Sequence, residues 1–81
     1  MRKMNVRHEP LPGIGDLFEV DTSSGSRITV ISHRSGRRDI AIGSRDAEEP
    51  SVTTALTRTE AAAIALLLAG VHLDLAMTTR D

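Results

Sequence analysis

The sequence predicts an α+β domain, in which an antiparallel meander of three to five strands is followed by one C-terminal helix packed on the sheet. Three observations support this prediction. Short apolar segments with β-type alternation are separated by brief turn sequences. A well-marked helix start follows the last of these segments. The chain has only 81 residues, which is enough for one domain with a modest core.

The strands are predicted from apolar residues at period two. In the second segment, Phe18 and Val20 share one face, and in the third, Ile28 and Val30 do so. The third segment is the most strand-like, because its β-branched residues suit a pleated, half-buried surface. The predicted strands, in order, are residues 5–9, 17–21, 27–33, 38–43 and 51–56.

Three connections between these strands have the composition of turns. Between the first two strands, Pro12 fixes its own φ angle, while Gly13 and Gly15 allow backbone angles that other residues avoid. This combination predicts a tight structural bend. Residues 22–26 and 34–37 are rich in Ser, Gly and Arg and predict hairpin turns.

The helix is predicted from its caps. Thr57 and Glu60 have the spacing of a capping box, in which the Thr hydroxyl and the Glu carboxylate each accept a backbone N–H. Gly70 fits the C-terminal cap after a helix that runs to about Ala69. The helix is apolar on nearly all sides, which favours contact with the sheet on one side and a second chain on another. For residues 71–75, an added edge strand and a continued helix both remain open.

Composition excludes several classes of function. A net charge of −1 and a single aromatic residue argue against a nucleic-acid partner. The absence of cysteine removes disulfides and thiolate chemistry and fits a reducing cytosol. Residues 61–69 form an apolar run far shorter than the roughly 20 residues of a membrane span, and no signal peptide precedes them. We therefore expect a soluble, cytoplasmic chain without membrane insertion.

No motif predicts an enzyme, a cofactor or a metal site. A dinucleotide fingerprint needs a third glycine three positions after Gly15 and a following helix, but position 18 is Phe and a strand follows. The histidines lack zinc-ligand spacing, and no serine has the hydrolase setting. A structural role for the glycine bend is favoured, and a small-molecule (nucleotide) binding module is kept as an alternative.

Three arginines surround the predicted turn at residues 34–37. Arg34, Arg37 and Arg38 offer planar guanidinium groups that suit an acidic loop of a partner protein or a phosphate. The competing interpretation is an ordinary solvated turn. These three residues are the predicted partner contact.

Short motifs follow one another along the chain in a fixed order. They are Glu9, Leu11–Gly15, Phe18-Glu19, His33, Gly36-Arg37-Arg38-Asp39, Leu56-Thr57, Glu60-Ala61 and Leu67-Leu68-Ala69-Gly70. In order and spacing, over about residues 5–70, this set resembles the regulatory subunits of potassium/proton antiporters, of the KhtT type.

The resemblance implies a non-enzymatic subunit that binds the cytosolic side of a membrane cation (potassium)/proton antiporter and regulates it by protein–protein contact. From the apolar helix we also expect a homodimer, and the contact with the antiporter would hold it peripherally on the inner face of the membrane. Family members usually carry a second domain of the TrkA C-terminal type, which binds a regulatory ligand such as cyclic di-AMP. Residues 1–70 would then be the N-terminal domain, and residues 71–81 a tail or linker toward that second domain. The alternative is a standalone dimerisation or scaffold module unrelated to transport.

Overall fold

A five-stranded antiparallel sheet and one C-terminal helix make up the computed structural model, which describes residues 5–71. Strands pair in chain order, β1-β2-β3-β4-β5, so the predicted meander and α+β class are confirmed. An edge strand and a continued helix were the alternatives for residues 71–75, and residues 72–75 lie outside the described residues. The elements are β1 (Val6–Leu11), β2 (Gly15–Asp21), β3 (Ser26–His33), β4 (Arg38–Ser44), β5 (Val52–Leu56) and α1 (Arg58–Leu68).

The register of the strands separates an apolar face from a polar face. On the polar face, direct cross-strand ion pairs join Arg7 to Glu19 at 2.9 Å and Arg27 to Asp21 at 2.7 Å. The hydrogen bond from Arg27 lowers the pKa of Asp21. The opposite side, here called the apolar face, is formed by directly paired residues of the three inner strands. These are Phe18, Val30 and Ile40 in one row and Val20, Ile28 and Ile42 in the next.

The bend between β1 and β2 is a type II turn. The N–H of Ile14 donates to the carbonyl of Leu11 at 2.9 Å, which closes a four-residue turn. Pro12 occupies the second position, and Gly13, with φ of +79°, occupies the third, where a type II turn requires positive φ. The sequence Leu-Pro-Gly-Ile thus forms this turn because Pro suits the second position and Gly accepts the positive φ of the third.

Both ends of α1 are capped by local hydrogen bonds. The hydroxyl of Thr57 accepts the Glu60 N–H at 3.1 Å, and the Glu60 carboxylate accepts the Thr57 N–H at 2.9 Å. At the other end, the N–H of Gly70 donates to Leu67 and the N–H of Val71 donates to Leu66. This pair of bonds is a Schellman motif, with Gly70 just after the C-cap.

The helix covers only part of the apolar face. Thr57 alone connects β5 to α1, and the main contact of α1 is with β5. In residues 5–71 no hydrophobic side chain is fully buried, and Leu68 is 83% exposed. The expected packing of the helix on the sheet is therefore partial, because a short helix tied directly to an edge strand stays near that edge. Within the same range, no helix is long and apolar enough to cross a bilayer.

Candidate partner-binding surface

One end of the sheet brings together most of the residues that the sequence singled out. In a meander, the β1–β2 bend, the β3–β4 turn and the β5–α1 junction must lie at the same end. The N–H of Arg34 donates to the carbonyl of Ile14 at 2.8 Å, which joins the bend directly to the turn. We call this surface, residues 11–15, 33–38 and 57–60, the turn end. It contains Pro12, Gly13, Gly15, Arg34, Arg37, Arg38, Thr57 and Glu60, whereas Gly70 lies after the far end of α1.

The glycine bend fits closely against β3. A Cβ atom built on Gly15 would overlap the carbonyl oxygen of Ser32 and would lie 2.9 Å from its carbonyl carbon. The bend leads directly into β2, so it has no helix N-terminus of the kind that a dinucleotide fingerprint needs. Gly15 therefore allows two backbones to approach each other at the base of the turn end.

The three predicted contact arginines have different roles. The Nη1 atom of Arg38 lies 3.0–3.3 Å from the carbonyl oxygens of His33, Gly36 and Arg37, so Arg38 holds the turn together. The guanidinium of Arg37 donates twice to Asp39, each time at 3.0 Å. The side chain of Arg34 makes no hydrogen bond or ion pair within residues 5–71. Among the three arginines, Arg34 is thus the one whose donors have no partner within residues 5–71.

Asp39 is the centre of a charge cluster that the sequence reasoning did not identify. Its carboxylate accepts hydrogen bonds from Arg37 and lies 2.8 Å from Nε2 of His33. The bonds from Arg37 and then His33 lower the pKa of Asp39. The signal was present in the sequence, because a short hairpin turn places His33 and Asp39 diagonally across β3 and β4 on one face.

The first histidine has a comparable partner on the apolar face. His8 Nε2 lies 2.8 Å from the Asp16 carboxylate, and the His8 ring stacks on Phe18 with a centroid separation of 4.7 Å. His72 lies outside the described residues. Among residues 5–71, no group of three or more His, Asp and Glu side chains is arranged to hold a metal ion.

The turn end presents both charge and apolar surface. Ile14 is 48% exposed, and its backbone is bonded to that of Arg34. An open depression of about 560 Å³ lies between the β3–β4 turn and the start of α1, where Arg37 and Arg58 contribute to the lining. Such a surface has the chemistry to bind a polypeptide segment that carries carboxylates beside an apolar side chain.

Comparisons with known proteins agree with the ordered motifs. Residues 4–72 match the family model described as "K(+)/H(+) antiporter subunit KhtT, N-terminal domain". The chain is also 41% identical over 69 residues to the K(+)/H(+) antiporter subunit KhtT of Bacillus subtilis (strain 168). That alignment covers 84% of this chain and 42% of the relative, so the chain spans less than half of the relative's length. The chain belongs to the family of KhtT N-terminal domains.

Proposed function

We propose that this domain regulates a membrane cation (potassium)/proton antiporter by direct protein–protein contact and has no enzymatic activity. Family membership supports the proposal, because the B. subtilis relative is named as a subunit of a K⁺/H⁺ antiporter. The domain would act in the cytoplasm, at the inner face of the membrane, where the antiporter holds it. Residues 1–70 would form the N-terminal domain, and residues 71–81 would lead toward a C-terminal domain of the TrkA C-terminal type.

We assign the contact with the antiporter to the turn end. The observation that carries this assignment is Arg34, whose guanidinium has no partner within residues 5–71 and which is joined through the backbone to the exposed Ile14. Arginine is among the residue types that contribute most to the binding energy of protein interfaces, and an exposed apolar side chain beside it adds area that binding removes from water. The complementary site on the antiporter would be an acidic cytosolic segment with an apolar residue next to its carboxylates.

The first experiment tests whether an antiporter is bound at all. The tagged full chain is incubated with detergent-solubilised membranes of the source organism, and mass spectrometry identifies the retained proteins. Capture of a multi-span cation/proton antiporter is the expected result. If the folded chain captures none, the regulatory proposal fails and a scaffold module unrelated to transport becomes the leading interpretation.

The second experiment tests the turn end with matched arginine variants. Arg34→Ala is compared with Arg45→Ala, because the backbone of Arg45 is bonded to Gly25 at the opposite end of the sheet. We expect Arg34→Ala to weaken binding to the purified antiporter by about fivefold or more, equivalent to about 1 kcal/mol, and Arg45→Ala to have little effect. Equal affinities for the two variants would exclude the turn end as the contact. Arg37 and Arg38 are poor test positions, because Arg37 is bonded to Asp39 and Arg38 is bonded to carbonyls of the turn.

We further infer that the chain forms a homodimer. The support is the lack of a fully buried hydrophobic side chain in residues 5–71, together with the exposure of Leu67 and Leu68. A chain of this length has little core to begin with, so association would add substantially to its stability. Sedimentation equilibrium of the full chain measures the association directly, and a monomer at all concentrations would exclude the homodimer.

A further inference from the structure

We propose that a second copy of this chain covers the apolar face, with its α1 lying in the groove between α1 and strands β3 and β4. This inference rests on the homodimer proposed above and specifies the surface that forms it. In a twofold arrangement, each helix would fill the groove of the other chain. Leu66 and Leu67 of each helix would then enter the groove of the other copy.

The groove is open and almost entirely apolar. Its volume is about 460 Å³. Ile28, Val30 and Ile40 form its floor on the sheet. The wall is a stripe of α1 at helical spacing, namely Ala61, Ile64, Ala65 and Leu68, and the charged side chains that line the groove are Arg38 and Arg58. In water, a cavity with this lining favours an apolar occupant.

The chain itself carries a surface that matches this groove. Leu66 and Leu67 do not line the groove of their own chain, and Leu67 is 55% exposed. Residues 61–71 contain no charged side chain, so two such helices meet without electrostatic repulsion. Because groove and helix belong to the same chain, a twofold axis satisfies both surfaces at once, as in isologous dimers.

The flat area of these two surfaces is about half of the area per partner in a standard interface. Three inner strands about 4.8 Å apart, with roughly six residues each, present about 290 Å² of flat sheet, and an 11-residue helix presents roughly 165 Å². Side-chain relief raises the accessible area above this flat total of about 450 Å². A standard interface uses about 800 Å² per partner.

Two other occupants are less well matched. Residues 72–81 contain Leu73, Leu75 and Met77 at period two, with Asp74 between them. This alternation is typical of an edge strand and does not match a groove that lies beside a helix. An amphipathic helix of another protein would fill the groove only while that protein is bound. Within residues 5–71 the apolar surface is uncovered, and a second copy carries the exposed helix face that matches it.

Cysteine cross-linking tests the contact directly, because the chain has no cysteine of its own. Copies carrying Val30→Cys are mixed with differently tagged copies carrying Leu67→Cys, allowed to exchange, and oxidised under mild conditions. A disulfide forms only where the two Cα atoms come within about 7 Å. We expect a non-reducing gel to show a hetero-linked band at twice the monomer mass. The matched control replaces Val30→Cys with Thr29→Cys, the neighbouring position on the opposite face, and should show only background linkage.

The outcomes separate this interface from the homodimer in general. A dimer in sedimentation without linkage above the Thr29→Cys background overturns the interface and leaves the homodimer in place. A monomer in sedimentation overturns both. An intrachain disulfide in the double variant with Val30→Cys and Leu75→Cys assigns the groove to residues 72–81 and also overturns the interface. Capture of the antiporter is measured separately, so the regulatory proposal is tested independently of the dimer.

Discussion

Replacement of Gly15 by alanine should strongly destabilise the domain, because the added methyl group has no space. It would overlap the carbonyl oxygen of Ser32 and lie 2.9 Å from its carbon and 3.1 Å from the Cα of His33. All three are backbone atoms of β3, so no side-chain rotation relieves the contact. The φ of Gly15 is +153°, a region that residues with a Cβ rarely occupy. The start of β2 would have to move away from β3.

The expected loss has two parts. Separation of the strand ends breaks one or two backbone hydrogen bonds, at about 1 kcal/mol each. The backbone strain adds roughly 1–3 kcal/mol. The sum for Gly15→Ala is therefore about 2–5 kcal/mol. A chain of 81 residues has a typical free energy of unfolding of only about 4–12 kcal/mol, so this is a large fraction of the total.

The matched control for this prediction is Gly13→Ala. Gly13 also has positive φ, at +79°, but a Cβ there would meet nothing within 4 Å, so we expect a loss of only about 1–2 kcal/mol. Urea unfolding should be followed by far-UV circular dichroism at one protein concentration, because the chain has no Trp or Tyr for fluorescence. Equal losses for the two variants would refute the close-approach argument and leave backbone conformation as the common cause.

Two further variants test the helix cap and the charge cluster. Thr57→Ala removes the capping side chain and should cost about 1 kcal/mol in urea unfolding. Thr59→Ala, one position before Glu60, serves as its control, and an equal cost for the two would contradict the capping role. Asp39→Asn should remove a pH-dependent contribution to the free energy of unfolding. Because folding lowers the pKa of Asp39, its carboxylate stabilises the fold above its ordinary pKa of about 3.9. This stabilisation is lost as pH falls through the lowered pKa. The melting temperatures of wild type and Asp39→Asn should therefore differ most near neutral pH and converge in acid; a constant difference would refute the assignment.

Local sequence signals were sufficient to predict the course of the backbone. Pro12 and Gly13 specify a type II turn without help from the rest of the fold. Thr57 and Glu60 lie three residues apart and close the helix start by themselves. The strand faces follow from period-two alternation, and short turns bring consecutive strands side by side so that they pair. Each of these features depends on residues that are near each other in the chain.

Features that depend on side-chain placement could not be predicted in the same way. Three neighbouring arginines look equivalent in the sequence, yet Arg38 bonds to turn carbonyls, Arg37 bonds to Asp39, and Arg34 extends from the same turn without either contact. The need for glycine at position 15 comes from the carbonyl of Ser32, which is close only after β2 and β3 pair. The partial coverage of the sheet depends on where α1 lies, and helix periodicity carries no information on that position.

Arg38 explains how a basic residue can lie at the edge of the proposed dimer groove. Burial of a charged side chain is costly unless its donors are satisfied. The guanidinium of Arg38 already bonds to carbonyls of the β3–β4 turn, while its side chain helps to line the groove. A second copy could therefore cover the apolar stem without stripping the charge of its hydrogen bonds. The same residue then supports the turn that presents Arg34, which places the proposed dimer surface and the proposed antiporter contact on one hairpin, β3–β4.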